Sequence, residues 1–114
     1  MERLKPSFKM HFENPRNTGI PDQYNCRGRD SSLVSGTLVM YYGLIKRGKI
    51  KDIGFRTFGC SYSIAASSCL SVLAKGMDLF DAARLSGDDI EEELGTFPED
   101  RKDSLNVVLG AFHA

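Results

Sequence analysis

The hydrophobic pattern of the chain changes abruptly at Gly59 and Cys60, and this change limits the possible folds more than any other feature. Before it, residues 50–58 alternate apolar and polar side chains, as a half-buried strand does. After it, residues 61–74 are rich in Ala and Ser and repeat apolar positions with the period of a helix. The sequence therefore predicts a strand that runs through a glycine and a cysteine directly into a helix.

The predicted position of Cys60 at a helix start determines its chemical character. Backbone N–H groups and the positive end of the helix dipole favour the thiolate, which is the form that binds metals or attacks electrophiles. Cys69 lies on the apolar stripe of the same predicted helix, where a free cysteine behaves as a small hydrophobic residue. We therefore expect Cys60 to be functional and Cys69 to belong to the core.

The remaining periodicity predicts an α+β fold, in which an antiparallel sheet is covered by helices on one face. Residues 38–44 are apolar and aromatic, and a turn rich in Lys, Arg and Gly joins them to the strand at residues 50–58. These two strands form a predicted hairpin. Helical patterns dominate after Cys60, and strands that precede a group of helices are typical of the α+β class.

Other segments complete this outline. Residues 4–12 predict a short opening helix, and residues 14–32 predict an irregular stretch or an edge strand. Two helix capping boxes have the expected spacing, one formed by Asp88 and Glu91 and the other by Thr96 and Glu99. An apolar stripe predicts a closing helix that carries Leu105, Val108, Leu109 and Phe112.

Composition narrows the class of protein. A chain of 114 residues is expected to form a single domain, residues 1–114, and its 15 basic and 15 acidic residues give no net charge that would favour nucleic acid or anionic lipid. No apolar run is long enough for a membrane span or a signal peptide, so we expect a cytoplasmic protein. Three cysteines without a Cys-x-x-Cys pair argue against zinc-ribbon and thioredoxin-like sites, and His11 and His113 are expected at the surface or at helix ends.

Several segments together resemble the iron-sulfur cluster assembly scaffold family, of the IscU and NifU N-terminal type. The similar segments are residues 11–17 with Gly19, residues 48–50, residues 55–65, residues 75–76 with Leu79, and residues 89–94 with Pro98. The resemblance implies an α+β fold with an antiparallel sheet. It also implies a scaffold that assembles a nascent cluster from ferrous iron and persulfide sulfur and passes it to apo-proteins, without being an enzyme.

The resemblance also implies a set of site residues. The family typically holds its cluster with a Cys-Gly-Asp turn, a Gly-Cys turn before the long helix and a late His-Cys pair. Cys60 matches the middle cysteine, the first turn falls on the segment from Ser35 to Thr37, and the late pair falls on Lys102 and Asp103. The implied cluster-binding residues are Cys60, Ser35, Thr37 and Lys102. The implied metal ligands in this set are Cys60 and Asp103. No catalytic residue is implied.

Cys26 is a further candidate ligand, because its Cys-x-Gly-x-Asp pattern is similar to the first turn of the family. Arg27 and Arg29 beside it could pair with an anionic sulfur species. If this segment folds back, Cys26 joins Cys60, and two chains together supply four thiolates. The alternative is an exposed loop cysteine, and the oligomeric state stays open, a homodimer included.

The predicted cargo at Cys60 is a transient [2Fe–2S] cluster or a single iron or zinc ion. The resemblance implies a cysteine desulfurase and apo-acceptor proteins as partners, with no nucleic acid and no membrane. One alternative is a degenerate paralogue that serves as an interaction or regulatory module and binds a single metal ion weakly. Another treats Cys60 as a sulfur acceptor or a peroxide-sensitive thiol.

Overall fold

A computed structural model describes residues 4–114, and within this range the chain forms three strands and five α-helices. The strands are β1 (Cys26–Ser32), β2 (Thr37–Lys46) and β3 (Lys49–Phe58). The helices are α1 (Pro6–Glu13), α2 (Ser61–Ala74), α3 (Leu79–Ala83), α4 (Gly87–Leu94) and α5 (Lys102–His113), and a 3-10 turn (Glu99–Arg101) precedes α5. Strands thus precede most of the helices, as the sequence predicts.

The sheet is antiparallel throughout, with the strand order β1-β2-β3. A two-residue turn joins β2 to β3, and its residues Arg47 and Gly48 both have positive φ, at 54° and 74°. β1 is an edge strand, which is one of the two predictions for this part of the chain. The predicted α+β class with an antiparallel sheet is therefore confirmed.

Two helices, α2 and α5, cover the sheet and meet over Tyr41. The Tyr41 hydroxyl donates a hydrogen bond to the backbone oxygen of Ser67 in α2, at 2.7 Å, and its ring lies 5.7 Å from that of Phe112 in α5. Val39 and Phe55 are buried on the same face. Burying one such apolar side chain contributes about 1.5–3 kcal/mol to folding, so this layer fixes both helices relative to the strands.

A close approach of α5 to β1 places the beginning of α5 near the turn between β1 and β2. A Cβ atom on Gly110 would lie 2.0 Å from Oδ2 of Asp30, and one on Gly28 would lie 2.3 Å from the backbone oxygen of Ala111. Both distances are shorter than any Cβ contact tolerates. Glycine at these two positions therefore lets the helix pack directly on the edge strand.

The segment around α1 is fastened to α2 by hydroxyl groups. His11 Nδ1 lies 2.6 Å from Oγ of Ser68, and the backbone N–H of Arg16 donates to the same oxygen at 2.8 Å. Asn17 donates to Oγ of Ser71 at 3.0 Å. His11 lies in the last turn of α1, as the prediction of a surface or helix-end residue allows, and its ring is partly buried against α2.

Several other details of the sequence analysis can be compared with the structure. Cys69 is buried in the core as predicted, and its burial raises the pKa of its thiol to about 12. The capping predictions are wrong: Ser86 and Asp89 form the capping box of α4, and Pro98, without a side-chain cap, precedes the 3-10 turn. Within residues 4–114, no helix is long and apolar enough to cross a membrane.

Candidate functional site

The candidate site begins with Gly59 and Cys60, where β3 passes into α2. Cys60 is the N-cap residue of α2 and has extended backbone angles, with φ −98° and ψ 177°. A Cβ atom on Gly59 would lie 2.6 Å from Oγ of Ser63 and 3.1 Å from Oγ1 of Thr37. The absence of a side chain at Gly59 therefore lets the strand end pack against Thr37 and keeps Cys60 at the helix start.

The Cys60 sulfur is half-buried and surrounded by hydrogen-bond donors. Its Sγ atom lies 3.5 Å from the Ser104 hydroxyl, and the N–H groups of Tyr62 and Ser63 face it without forming a capping bond of standard geometry. Burial raises the pKa of the Cys60 thiol, but the Ser104 hydroxyl, these N–H groups and the Ser63 hydroxyl together leave that pKa below its ordinary value. The structure therefore stabilises the thiolate of Cys60 relative to that of a free cysteine.

Asp103 supplies a carboxylate next to Ser104 at the beginning of α5. The hydroxyls of Ser32 and Ser35 hold the pKa of Asp103 below its usual value, against the opposing effect of desolvation. Its Oδ2 atom is shielded from solvent and, among the described residues, has no hydrogen-bond partner of standard geometry. The two hydroxyls thus stabilise the negative charge of the Asp103 carboxylate.

The first predicted ligand turn lies beside the same site. The Ser35 hydroxyl donates to Oγ1 of Thr37 at 2.9 Å, and Ser35 also contributes to lowering the pKa of the Asp103 carboxyl group. Thr37 is buried and packs against Gly59. The three segments that the sequence aligned with the ligand positions of the scaffold family therefore do meet in space, through Ser35, Asp103 and Cys60.

Two predicted site residues are held elsewhere. The Lys102 ammonium lies 2.7 Å from Oε2 of Glu91 on α4, and this hydrogen bond raises the pKa of Lys102. Cys26 lies at the opposite end of β1 from Ser32, about 20 Å along the strand at the usual rise per residue. It faces the backbone oxygen of Gly43, at 3.4 Å, and a cavity of about 270 Å³. The idea that Cys26 folds back onto Cys60 is therefore wrong, because β1 holds the two thiols apart.

The donor set of one chain is small and chemically mixed. Within residues 4–114, no group of three or more His, Cys, Asp or Glu side chains is placed to hold a metal ion. Cys60 offers a soft thiolate and Asp103 a harder carboxylate, and this pair suits Fe(II) or Zn(II) with exchangeable water in the remaining positions. Within residues 4–114, these two side chains alone do not complete a coordination shell.

Two residues of the site were missed by the sequence analysis. Ser104 provides the hydroxyl closest to the Cys60 sulfur, and Ser32 is one of the two hydroxyls that act on Asp103. The position of Ser104 directly after Asp103 was a usable signal. Ser32 gave none, because its neighbourhood depends on the packing of α5 against β1.

Comparison with known proteins places the chain in a family. Residues 6–114 match the model of the NifU-like N terminal domain. The chain is 36% identical over 101 residues to the iron-sulfur cluster assembly scaffold protein IscU 1 of Archaeoglobus fulgidus, a match that covers 89% of this chain and 66% of that protein. It is 39% identical over 95 residues to the nitrogen fixation protein NifU of Azotobacter chroococcum, covering 82% of this chain and 31% of that protein.

Solved structures show the same fold. The N-terminal part of a nitrogen-fixing NifU-like protein from Brucella abortus superposes with a TM-score of 0.75 at 18% identity, over 96% of this chain and 88% of that chain. An iron-sulfur cluster assembly scaffold for the SUF system, described as putative, from Fervidobacterium islandicum gives a TM-score of 0.66 at 18% identity, over 91% and 78%. The chain spans from about one third to two thirds of the length of the two curated relatives named above. On the family model and these identities, the chain belongs to the IscU and NifU N-terminal scaffold family.

Proposed function

We propose that this chain binds iron, a nascent cluster or persulfide sulfur at Cys60 and passes that cargo to acceptor proteins. The observation that carries the proposal is the half-buried Cys60 thiol at the start of α2, 3.5 Å from the Ser104 hydroxyl, which lowers the pKa of that thiol. Relatives named as cluster assembly scaffolds support the same role. The proposed partners are a cysteine desulfurase and apo-proteins, and the chain acts by binding rather than by catalytic turnover.

Sulfur can enter this site without an added oxidant. The Cys60 thiolate attacks the outer sulfur of a donor persulfide, a new S–S bond forms at Cys60, and the old S–S bond breaks. The donor leaves as a thiolate, and the transferred sulfur keeps its proton. The N–H groups and hydroxyls around Cys60 stabilise the attacking thiolate.

Iron binding at Cys60 is tested by anaerobic titration with Fe(II), followed by visible absorption and elemental analysis of the desalted protein. We expect thiolate-to-iron charge-transfer absorption in the unmodified chain and in Cys26→Ser, since the Cys26 thiol is remote from the site. Cys60→Ser should lose the absorption. Equal absorption in Cys60→Ser, or none in the unmodified chain, would contradict iron binding at Cys60.

A second function is favoured by one observation, the absence within residues 4–114 of a group of three metal-binding side chains. In this alternative the chain retains the family fold and serves as an interaction module for the assembly machinery, with at most one weakly held ion. The module would bind a cysteine desulfurase equally well with Cys60→Ser and would show no iron absorption. A loss of desulfurase binding in Cys60→Ser would argue against it.

A further inference from the structure

A cavity of about 270 Å³ lies at the Cys26 end of the sheet, away from Cys60, and the proposed function does not use it. Its floor includes Cys26, Gly43 and Ile53, which pair side by side across the three strands and therefore share one face of the sheet. Gly43 carries no side chain, so the floor is low over the middle strand. Cys26 is exposed, and the cavity opens to solvent beside it.

Two helices form the walls of the cavity, and both contribute small or apolar side chains. α3 contributes Leu79, Ala82 and Ala83, and the end of α5 contributes Phe112. The ring of Phe112 lies 5.7 Å from that of Tyr41, which also lines the cavity. The lining therefore offers aliphatic and aromatic surface on several sides.

Hydrogen bonds fix the two walls in place. The Leu79 N–H, at the start of α3, donates to the backbone oxygen of Gly48 in the turn between β2 and β3, at 2.8 Å. At the end of α5, Nε2 of His113 lies 2.8 Å from the backbone oxygen of Leu85, just after α3. A void shrinks only as far as its walls can move, so these bonds keep the cavity open and preformed.

The lining offers no partner for a charged ligand. No Asp, Glu or Lys side chain lines the cavity within the described part of the chain. Arg27 lines it, but successive side chains of a strand point to opposite faces, so the guanidinium of Arg27 points to the other face from Cys26. The Nε2 atom of His113 is engaged with Leu85. The Cys26 thiol is a weak donor that already faces the Gly43 oxygen, at 3.4 Å. Since a buried charge without a partner is costly, the lining favours a neutral occupant.

We propose that this cavity is a binding site for a small, neutral, largely apolar molecule. An apolar cavity of about 150 Å³ holds benzene, so a volume of about 270 Å³ suits a molecule of about ten non-hydrogen atoms. A concave, preformed and mostly apolar site is typical of small-molecule binding. The site is separate from Cys60 and does not depend on iron binding there.

Binding is tested on the full chain with indole, a neutral molecule of about this size. The readout is the rate of alkylation by iodoacetamide at each cysteine, followed by peptide mass spectrometry. At an indole concentration about four times its dissociation constant, the Cys26 rate should fall about fivefold, because the bound molecule covers a thiol in the cavity floor. The Cys60 rate should not change. Indole should also raise the urea midpoint of unfolding.

A variant and two charged molecules test the site and its chemistry. Gly43→Val should weaken indole binding at least about tenfold by filling the floor, since a Cβ atom there meets only the movable Cys26 Sγ, at 3.1 Å, and the Asp52 oxygen, at 4.0 Å. Leu44→Val is the matched control, because it puts the same side chain on the opposite face of β2. An unchanged Cys60 alkylation rate reports an intact fold in both. Benzoate and benzylammonium, charged molecules of similar size, should protect Cys26 at least about tenfold less well than indole.

Several results would overturn this site. Indole that neither protects Cys26 nor raises the unfolding midpoint would show that the cavity does not bind such a molecule. Protection that persists in Gly43→Val would place indole elsewhere, and equal protection by the charged molecules would refute the neutral class. A Cys26 rate that falls with protein concentration alone, together with a dimer in native mass spectrometry, would assign the cavity to a second copy. None of these results bears on iron binding at Cys60, which has its own test.

Discussion

Replacing Ser104 with alanine should make the Cys60 thiolate less stable without disturbing the fold. The Ser104 hydroxyl is 3.5 Å from Sγ, and its removal deletes the strongest contact that lowers the Cys60 pKa. A hydrogen bond to a charged group contributes about 1.5–3 kcal/mol, and a long bond to a half-exposed sulfur falls below this range, at about 1 kcal/mol. Such a loss corresponds to about a fivefold lower ratio of thiolate to thiol at a given pH.

The assay is the rate of alkylation by iodoacetamide as a function of pH, measured in a Cys26→Ser background. This background removes the exposed thiol, while Cys69 stays unreactive because it is buried and has a pKa raised to about 12. Ser104→Ala should react about fivefold more slowly at pH values below the midpoint of the Cys60 titration, and its rate profile should shift to higher pH. Asn106→Ala, an exposed change on the same helix, is the control. Identical profiles for Ser104→Ala and the control would refute the role of Ser104.

Three further predictions concern stability and are measured by urea unfolding. Burial, and then the Arg16 charge, lower the pKa of His11, whereas the Glu93 charge raises it, so the folded chain favours the neutral ring. The free energy of unfolding should therefore fall as the pH drops below about 6.5, because the unfolded chain then binds more protons than the folded one. His11→Gln should flatten this pH dependence. Glu91→Ala should lower the free energy of unfolding by about 1–3 kcal/mol, because it leaves the buried Phe97 N–H without its acceptor. An unchanged urea midpoint of unfolding would contradict this prediction. Phe97→Ala should lower the free energy of unfolding by about 3–5 kcal/mol, because the ring is buried in the core. Phe80→Ala, at an exposed position, should change it by less than about 0.5 kcal/mol.

Local patterns predicted most of the fold, because the hydrophobic period is a local property. The alternation before Gly59 and the helical period after Cys60 place β3 and α2 correctly. The capping predictions failed because several acidic and hydroxyl residues crowd residues 86–99, and more than one pair has the required spacing.

The site was only partly predictable, since it joins segments that are distant in sequence. The family resemblance brought Ser35, Cys60 and Asp103 into one group, and the structure places the three segments together; their role as ligands stays a prediction. Cys26 was misleading because its motif-like spacing carries no information about strand direction. Once β1 pairs with β2 through seven residues, Cys26 must lie at the other end of the sheet.

The ligand set also bears on how a scaffold releases its cargo. Carboxylate oxygens and water hold an iron-sulfide core less strongly than thiolates do, because soft sulfur ligands match it better. A site with a single thiolate would therefore bind iron or a nascent cluster weakly. An acceptor protein with several thiolates would then outcompete the site. On the proposed function, a site with a single thiolate favours transfer of the cargo over storage.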